Sequence, residues 1–115
     1  MYSEYLKHLA EAYWMEYELL VGDREARVRL ASTESFASGD VSAIVMRGPL
    51  DAAIAIMDFL SELATSDSRI YFLAAGPVED FLEARGMDSI RFLRPLAGMR
   101  AVLPLAVAWI EGQRS

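Results

Sequence analysis

The segment 49–65 is the most apolar stretch of the chain, and it constrains the fold more than any other feature. Apolar residues cover two adjacent faces at helical spacing and leave one narrow polar stripe, which consists of Asp51, Asp58, Glu62 and Thr65. A helix that is apolar over most of its circumference must be covered on several sides. We therefore expect a helix at the centre of the fold, begun by Pro49, whose missing N–H costs nothing in a first turn.

Helical periodicity also marks the N-terminal part of the chain. Residues 4–21 predict one long helix, with Gly22 in the position of a C-cap. Its predicted buried face consists of Leu6, Leu9, Tyr13, Tyr17 and Leu20. Residues 24–31 fit either a short helix or an isolated strand. The polar stretch 32–40 predicts a loop, and Asp40 is the expected N-cap of a short helix over 41–47 that ends at Gly48.

Glycine and proline divide the C-terminal half into short pieces. Residues 70–75 predict a short helix or a strand that the Gly76-Pro77 pair must break. Pro77 then begins a helix over 77–85, closed by Gly86, and a further helix is expected over 89–97. The last helix reaches residue 111. Pro104 either kinks this helix or marks its start, because an interior proline removes one helical hydrogen bond.

These segments together predict an all-α fold, a compact bundle of five to seven short helices in a single domain over 1–115. A chain of 115 residues, of which 54% are apolar, buries enough surface for one core. Helix should cover more than half of the residues, because the strand signals are isolated.

Composition excludes several classes of function. The chain has no cysteine, which removes disulfides, thiolate metal sites and cysteine nucleophiles. Its net charge of −6 disfavours nucleic-acid binding, because phosphate backbones attract basic surfaces. The longest uncharged run, 101–110, is too short to cross a bilayer, and the N-terminus does not have the pattern of a signal peptide. We expect a cytoplasmic protein that binds no membrane and no cofactor.

Candidate chemistry is sparse. His8 lies one turn from Glu4 and Glu11, but the same spacing is common on a solvated helix face, so neither a metal site nor a catalytic site is predicted there. Glu16 borders the apolar stripe of the first helix. We expect it to be a partly buried carboxylate that pairs with an arginine or contributes to a binding surface.

One motif resembles a known family. Residues 74–82 read Ala-Ala-Gly-Pro-Val-Glu-Asp-Phe-Leu, followed by Glu-Ala-Arg-Gly at 83–86. This stretch resembles the central motif of a family of small bacterial helical proteins catalogued only as a domain of unknown function, in which leucine is usual at the positions of Val78 and Phe81. The aromatic first helix and the terminal segment that ends in Trp109 are also similar to that family. The resemblance implies an all-helical fold and no established activity.

Glu79 and Asp80 have two interpretations. As residues of a first turn after Pro77 they would cap the helix and favour its dipole. Alternatively, one of them projects into a cleft and binds a basic group of a partner.

The predicted function is a non-enzymatic protein–protein interaction module, with toxin neutralisation as one possible type. The alternative is a small-molecule-binding protein or a hydrolase with a carboxylate-lined pocket. The last helix is apolar almost all round, so we expect an exposed surplus face around Trp109 and, through it, a homodimer. The candidate binding residues are Glu16, Glu79, Asp80 and Trp109.

Overall fold

The computed structural model describes residues 2–22 and 37–114, and every regular element in these ranges is helical. The first three helices are α1 (Tyr2–Gly22), α2 (Ala37–Arg47) and α3 (Leu50–Glu62). Helix α4 consists of Asp67–Leu73, a π turn at Ala74–Val78, and Glu79–Arg85. Short 3₁₀ turns, Met87–Ser89 and Ala97–Arg100, precede α5 (Ile90–Leu93) and α6 (Val102–Arg114). The all-α prediction is confirmed. The predictions for 24–31 and 32–36 lie outside the described residues.

Helix α3 lies at the centre of the bundle, as its apolar circumference predicts. It packs against α1, α2 and the Ala97–Arg100 turn. Its fully buried positions are Ala52, Ala53, Ile56, Met57, Leu60 and Ser61. The polar stripe reaches solvent through Asp51 and Glu62, which are exposed.

Helix α1 buries one face against α3 and α2. The buried positions are Leu6, Leu9, Ala10, Tyr13, Trp14 and Tyr17, which include most of the predicted stripe. Trp14 is almost fully buried, and its indole Nε1 donates to the Leu60 carbonyl of α3 at 3.0 Å. The buried indole N–H thus has a partner, as a buried polar group requires.

Helix α2 includes residues that were expected to form a loop. Asp40 lies inside the helix rather than at its N-cap. The first N–H groups of α2 are bound from α1 instead: Ala37 N donates to Glu16 Oε1 at 2.7 Å, and Ser38 N donates to Glu16 Oε2 at 3.1 Å. A carboxylate at this end also favours the helix dipole. This long-range contact satisfies the N-terminus of α2.

Helix α4 corrects the prediction that Gly76-Pro77 breaks the chain into two elements. The backbone continues from Asp67 to Arg85 through the π turn, and Pro77 lies inside that turn. In an α-helix a proline ring clashes with the carbonyl four residues earlier. The wider π turn separates the two groups, so the helix continues. It follows that Glu79 and Asp80 lie in the middle of a helix and do not cap a first turn.

The C-terminal segment closes the bundle over α3 and α4. Gly98 packs directly on Ser61 of α3, since a Cβ built at Gly98 would lie 2.4 Å from Ser61 Oγ. Pro104 falls in the first turn of α6, which was one of the two alternatives for it, and no N–H is needed there. In the described part of the chain, no helix is both long and apolar enough to cross a membrane.

Candidate functional site

Helix α4 separates two surface features that have the properties of binding sites. One side of α4 faces α1 and α2 and lines a pocket, whereas the other side packs on α6 and carries exposed aromatic residues. The π turn contributes Gly76 and Pro77 to the pocket. Such turns are rare and occur frequently at functional sites.

The pocket at the π turn has a volume of about 220 Å³. Helix α1 contributes Tyr13, and α2 contributes Ser38, Val41 and Ser42. Helix α4 contributes Phe72, the Gly76-Pro77 pair and Asp80. The described lining of the pocket is thus mainly apolar and aromatic, with three hydroxyl groups, those of Tyr13, Ser38 and Ser42, and a single carboxylate. This composition is typical of small-molecule sites, although the volume is small for one.

Electrostatics at the pocket depend on two groups. Burial and the neighbouring Glu83 raise the pKa of the Asp80 carboxyl above its usual range. Burial raises the pKa of the Tyr13 hydroxyl, and the negative charges of Asp80 and Glu16 raise it further. Tyr13 is therefore neutral at physiological pH, and Asp80 is a partly desolvated carboxylate that forms no ion pair with any described residue.

A second surface feature lies where α4 packs on α6. It is formed by Tyr71 of α4 with Leu105 and Trp109 of α6, and we call it the aromatic face. The rings of Tyr71 and Trp109 meet edge to face with centroids 6.4 Å apart. Leu105 lies one turn before Trp109 on α6. All three side chains are exposed, Tyr71 by 55%, Leu105 by 40% and Trp109 by 38%. Exposed apolar residues expected on the last helix are thus present, and they border the buried stripe of α6, which contains Val102, Ala106 and Ile110.

Glu79 lies beside the aromatic face. Burial raises the pKa of the Glu79 carboxyl, the negative charges of Glu83 and Asp80 raise it further, and the nearby Trp109 side chain opposes this without reversing it. The Gln113 amide reaches both groups: it can donate to Glu79 Oε1 at 3.2 Å and accept from Trp109 Nε1 at 3.2 Å. Glu79 therefore belongs to a small acidic and aromatic cluster on the surface.

The remaining candidates are separate from these two features. Glu16 accepts from backbone N–H groups at the N-terminus of α2, and no arginine among the described residues forms an ion pair with it. His8 lies on the exposed side of α1, with Nδ1 3.9 Å from Glu11 Oε2. Within residues 2–22 and 37–114, no three potential ligand side chains come together to form a metal site.

The structure brings together some of the predicted site residues but not all. Trp109 belongs to the aromatic face and Glu79 lies beside it, while Asp80 lines the pocket. Sequence reasoning missed Tyr71, Tyr13 and Phe72 as site residues. Their helical spacing identifies them only as apolar positions, and nothing in the spacing separates a pocket wall from the core.

Comparison of this chain with protein-family models, with curated proteins and with solved structures gives no match. The resemblance at residues 74–86 stays a prediction.

Proposed function

We propose that this protein is a non-enzymatic protein–protein interaction module and that its docking surface is the aromatic face. The observation that carries the proposal is the edge-to-face pair of Tyr71 and Trp109, both exposed on neighbouring helices. Tryptophan and tyrosine are the residue types most enriched among side chains that dominate binding energy. A rigid aromatic pair also loses little conformational entropy when a partner covers it.

The chemistry beside the aromatic face indicates the kind of partner. Glu79 and Glu83 lie one turn apart on α4, and the raised pKa of Glu79 reflects partial burial and crowding of like charges. A lysine or arginine of a partner would relieve that crowding. The partner we propose is therefore a basic protein segment with an apolar side chain that packs on Trp109. Neutralisation of a basic toxin would be one activity of this kind.

A second copy of this chain fits the aromatic face less well. A symmetric dimer would bring a second Glu79 and Glu83 pair toward the first, and like charges across an interface disfavour association. The homodimer predicted from the sequence is therefore the competing occupant, and a measurement of mass distinguishes it.

The test is selection of displayed random peptides on the immobilised protein, followed by titration of one enriched synthetic peptide. Enriched peptides should combine lysine or arginine with a leucine or an aromatic residue. Trp109→Ala should weaken the peptide Kd by about tenfold, which corresponds to about 1.4 kcal/mol. Circular dichroism on the same sample checks that the variant is folded.

A matched control is available on α1. Tyr5 is exposed by 51%, close to the 55% of Tyr71, and it lies on a different helix. Tyr71→Ala should weaken peptide binding, and Tyr5→Ala should leave it unchanged. Equal effects of the two substitutions would contradict the proposal. A dimer seen by light scattering at micromolar concentration, converted to a folded monomer by Trp109→Glu, would show that the occupant is a second copy.

A further inference from the structure

The pocket at the π turn has features of a ligand site that are separate from the aromatic face. The π turn widens α4 at the point where Gly76 presents no side chain. A Cβ built at Gly76 meets no atom within 4 Å, so the space beside it is open. A volume of about 220 Å³ is below the range of about 300–1,000 Å³ that is usual for drug-sized ligands. The occupant must therefore be small.

The charge of the pocket limits the ligand to a cation or a neutral molecule. Asp80 is the one carboxylate among the described lining residues, and none of these residues is a lysine, an arginine or a histidine. An anion would meet Asp80 without any compensating positive charge. A metal ion such as Ca²⁺ or Mg²⁺ requires several oxygen ligands at fixed distances, and one carboxylate with the hydroxyls of Tyr13, Ser38 and Ser42 does not provide them.

The aromatic walls favour a cation over a neutral molecule. The rings of Tyr13 and Phe72 line the pocket with centroids 6.2 Å apart and planes inclined at 49°. The faces of aromatic rings attract cations within about 6 Å of the centroid, and alkylammonium groups are bound in this way. Tyr13 stays neutral because burial and nearby negative charge raise its pKa.

We propose that this pocket binds a small alkylammonium group, with Asp80 as its counter-ion and the rings of Tyr13 and Phe72 as its apolar walls. The group is carried either by a free amine or by a lysine side chain of another protein, and these two sources have the same chemistry at the pocket. The site is distinct from the aromatic face, because the two have no residue in common.

Titration followed by amide NMR shifts tests the proposal, with three probes: tetramethylammonium chloride, propylamine hydrochloride and a capped lysine amide. Tetramethylammonium should bind with a Kd of about 1 mM or below and shift the amides of Gly76 and Phe72. Neutral tert-butanol, of similar shape, should bind at least about tenfold more weakly, because it lacks the charge. Tighter binding of the capped lysine than of propylamine would identify a lysine side chain as the source, and the reverse order a free amine.

Two variants and a matched control complete the experiment. Asp80→Asn should weaken tetramethylammonium binding by about tenfold, and Gly76→Leu should abolish it by filling the open space. Asp58→Asn removes the same charge from a half-buried position on α3 outside the pocket, and it should leave binding unchanged. If Asp80→Asn does not fold, Phe72→Leu, which removes one aromatic wall, gives the same test.

Three results would overturn the inference: no shift at Gly76 with any probe, equal binding of tert-butanol, or equal loss in Asp58→Asn. Trp109→Ala should leave ammonium binding intact. Failure at this pocket is therefore distinct from failure of the proposed docking surface.

Discussion

Arg85 is the residue whose replacement tests the packing of this bundle most directly. Its guanidinium donates from Nε to the Val45 carbonyl at 2.8 Å, and from Nη2 to the Ile44 and Gly48 carbonyls at 3.2 and 2.7 Å. These carbonyls lie at the C-terminal end of α2 and in Gly48 just after it. The Ile44 carbonyl also accepts from Gly48 N at 3.0 Å, whereas the residue four positions after Val45 is Pro49, which has no N–H. Arg85 therefore links α4 to α2, and the positive charge also favours the helix dipole.

The magnitude follows from the number and length of these bonds. A hydrogen bond to a charged group contributes about 1.5–3 kcal/mol when buried. Arg85 is only half-buried, so water replaces part of what is lost, and we assign about 1 kcal/mol to each of the two short bonds and less to the long one. With about 0.5 kcal/mol for the dipole, Arg85→Ala should lower the free energy of unfolding by about 2–3 kcal/mol.

Urea denaturation followed by circular dichroism measures this change. With a slope of about 1–2 kcal/mol per molar urea, the midpoint should fall by more than about 1 M. Arg85→Lys should recover less than half of the loss, because an ammonium group cannot donate in a fork to three carbonyls. Arg91→Ala is the control, since Arg91 is exposed and stacks only on Phe92, and it should change stability by about 0.5 kcal/mol or less. An Arg85→Ala protein within about 0.5 kcal/mol of the wild type would refute the reasoning.

The opposite end of α2 gives a similar expectation: Glu16→Ala should cost about 1–2 kcal/mol in urea denaturation, as for loss of an N-cap, and an unchanged midpoint would contradict that role. Gly98→Ala should lower the free energy of unfolding by about 1–3 kcal/mol, because the new Cβ would overlap the backbone and side chain of Ser61 in α3. Gly39→Ala should instead stabilise α2 by up to about 1 kcal/mol, because a Cβ at that position meets no atom within 4 Å. The raised pKa values of Glu79 and Asp80 mean that the folded state binds protons more readily than the unfolded state, so their ionised forms oppose folding at neutral pH. The Glu79→Gln, Asp80→Asn double variant lacks these two charges, so it should melt at a higher temperature than the wild type at neutral pH. This difference in melting temperature should shrink as the pH is lowered toward about 4, the ordinary carboxyl range. A difference that stays constant with pH would contradict the destabilising role of the two charges.

Much of the fold follows from local pattern. The apolar circumference of 49–65 predicts a central helix, and the stripe of α1 predicts most of its buried face, because both depend only on the spacing of apolar residues. The start of α2 cannot be predicted from local pattern. Its N-terminal partner, Glu16, is 21 residues away along the chain, so no local rule for caps could find it.

The candidate sites depend even more on tertiary contacts. Trp109 could be proposed from the sequence because α6 has more apolar residues than one buried face can hold. Tyr71, on the same aromatic face, could not be proposed from the sequence. The predicted break at Gly76-Pro77 left no continuous α4 that would place Tyr71 beside Trp109. The pocket likewise requires three helices to meet, and only the structure brings Tyr13, Phe72 and Asp80 together.

The π turn also explains the spacing of buried residues along α4, which repeats every four residues. The buried pairs are Leu73 and Ala74, Pro77 and Val78, and Phe81 and Leu82. In an α-helix each residue turns the chain by about 100°, so successive pairs would drift by about 40° and the third pair would leave the core. The π turn contains one residue more than an α-helical turn, which compensates for the rotation and keeps all three pairs on the buried side of α4. Deletion of a single residue between 74 and 78 would therefore rotate Phe81, Asp80 and Arg85 together about the helix axis, and would separate Asp80 from Tyr13 and Arg85 from α2 in one step.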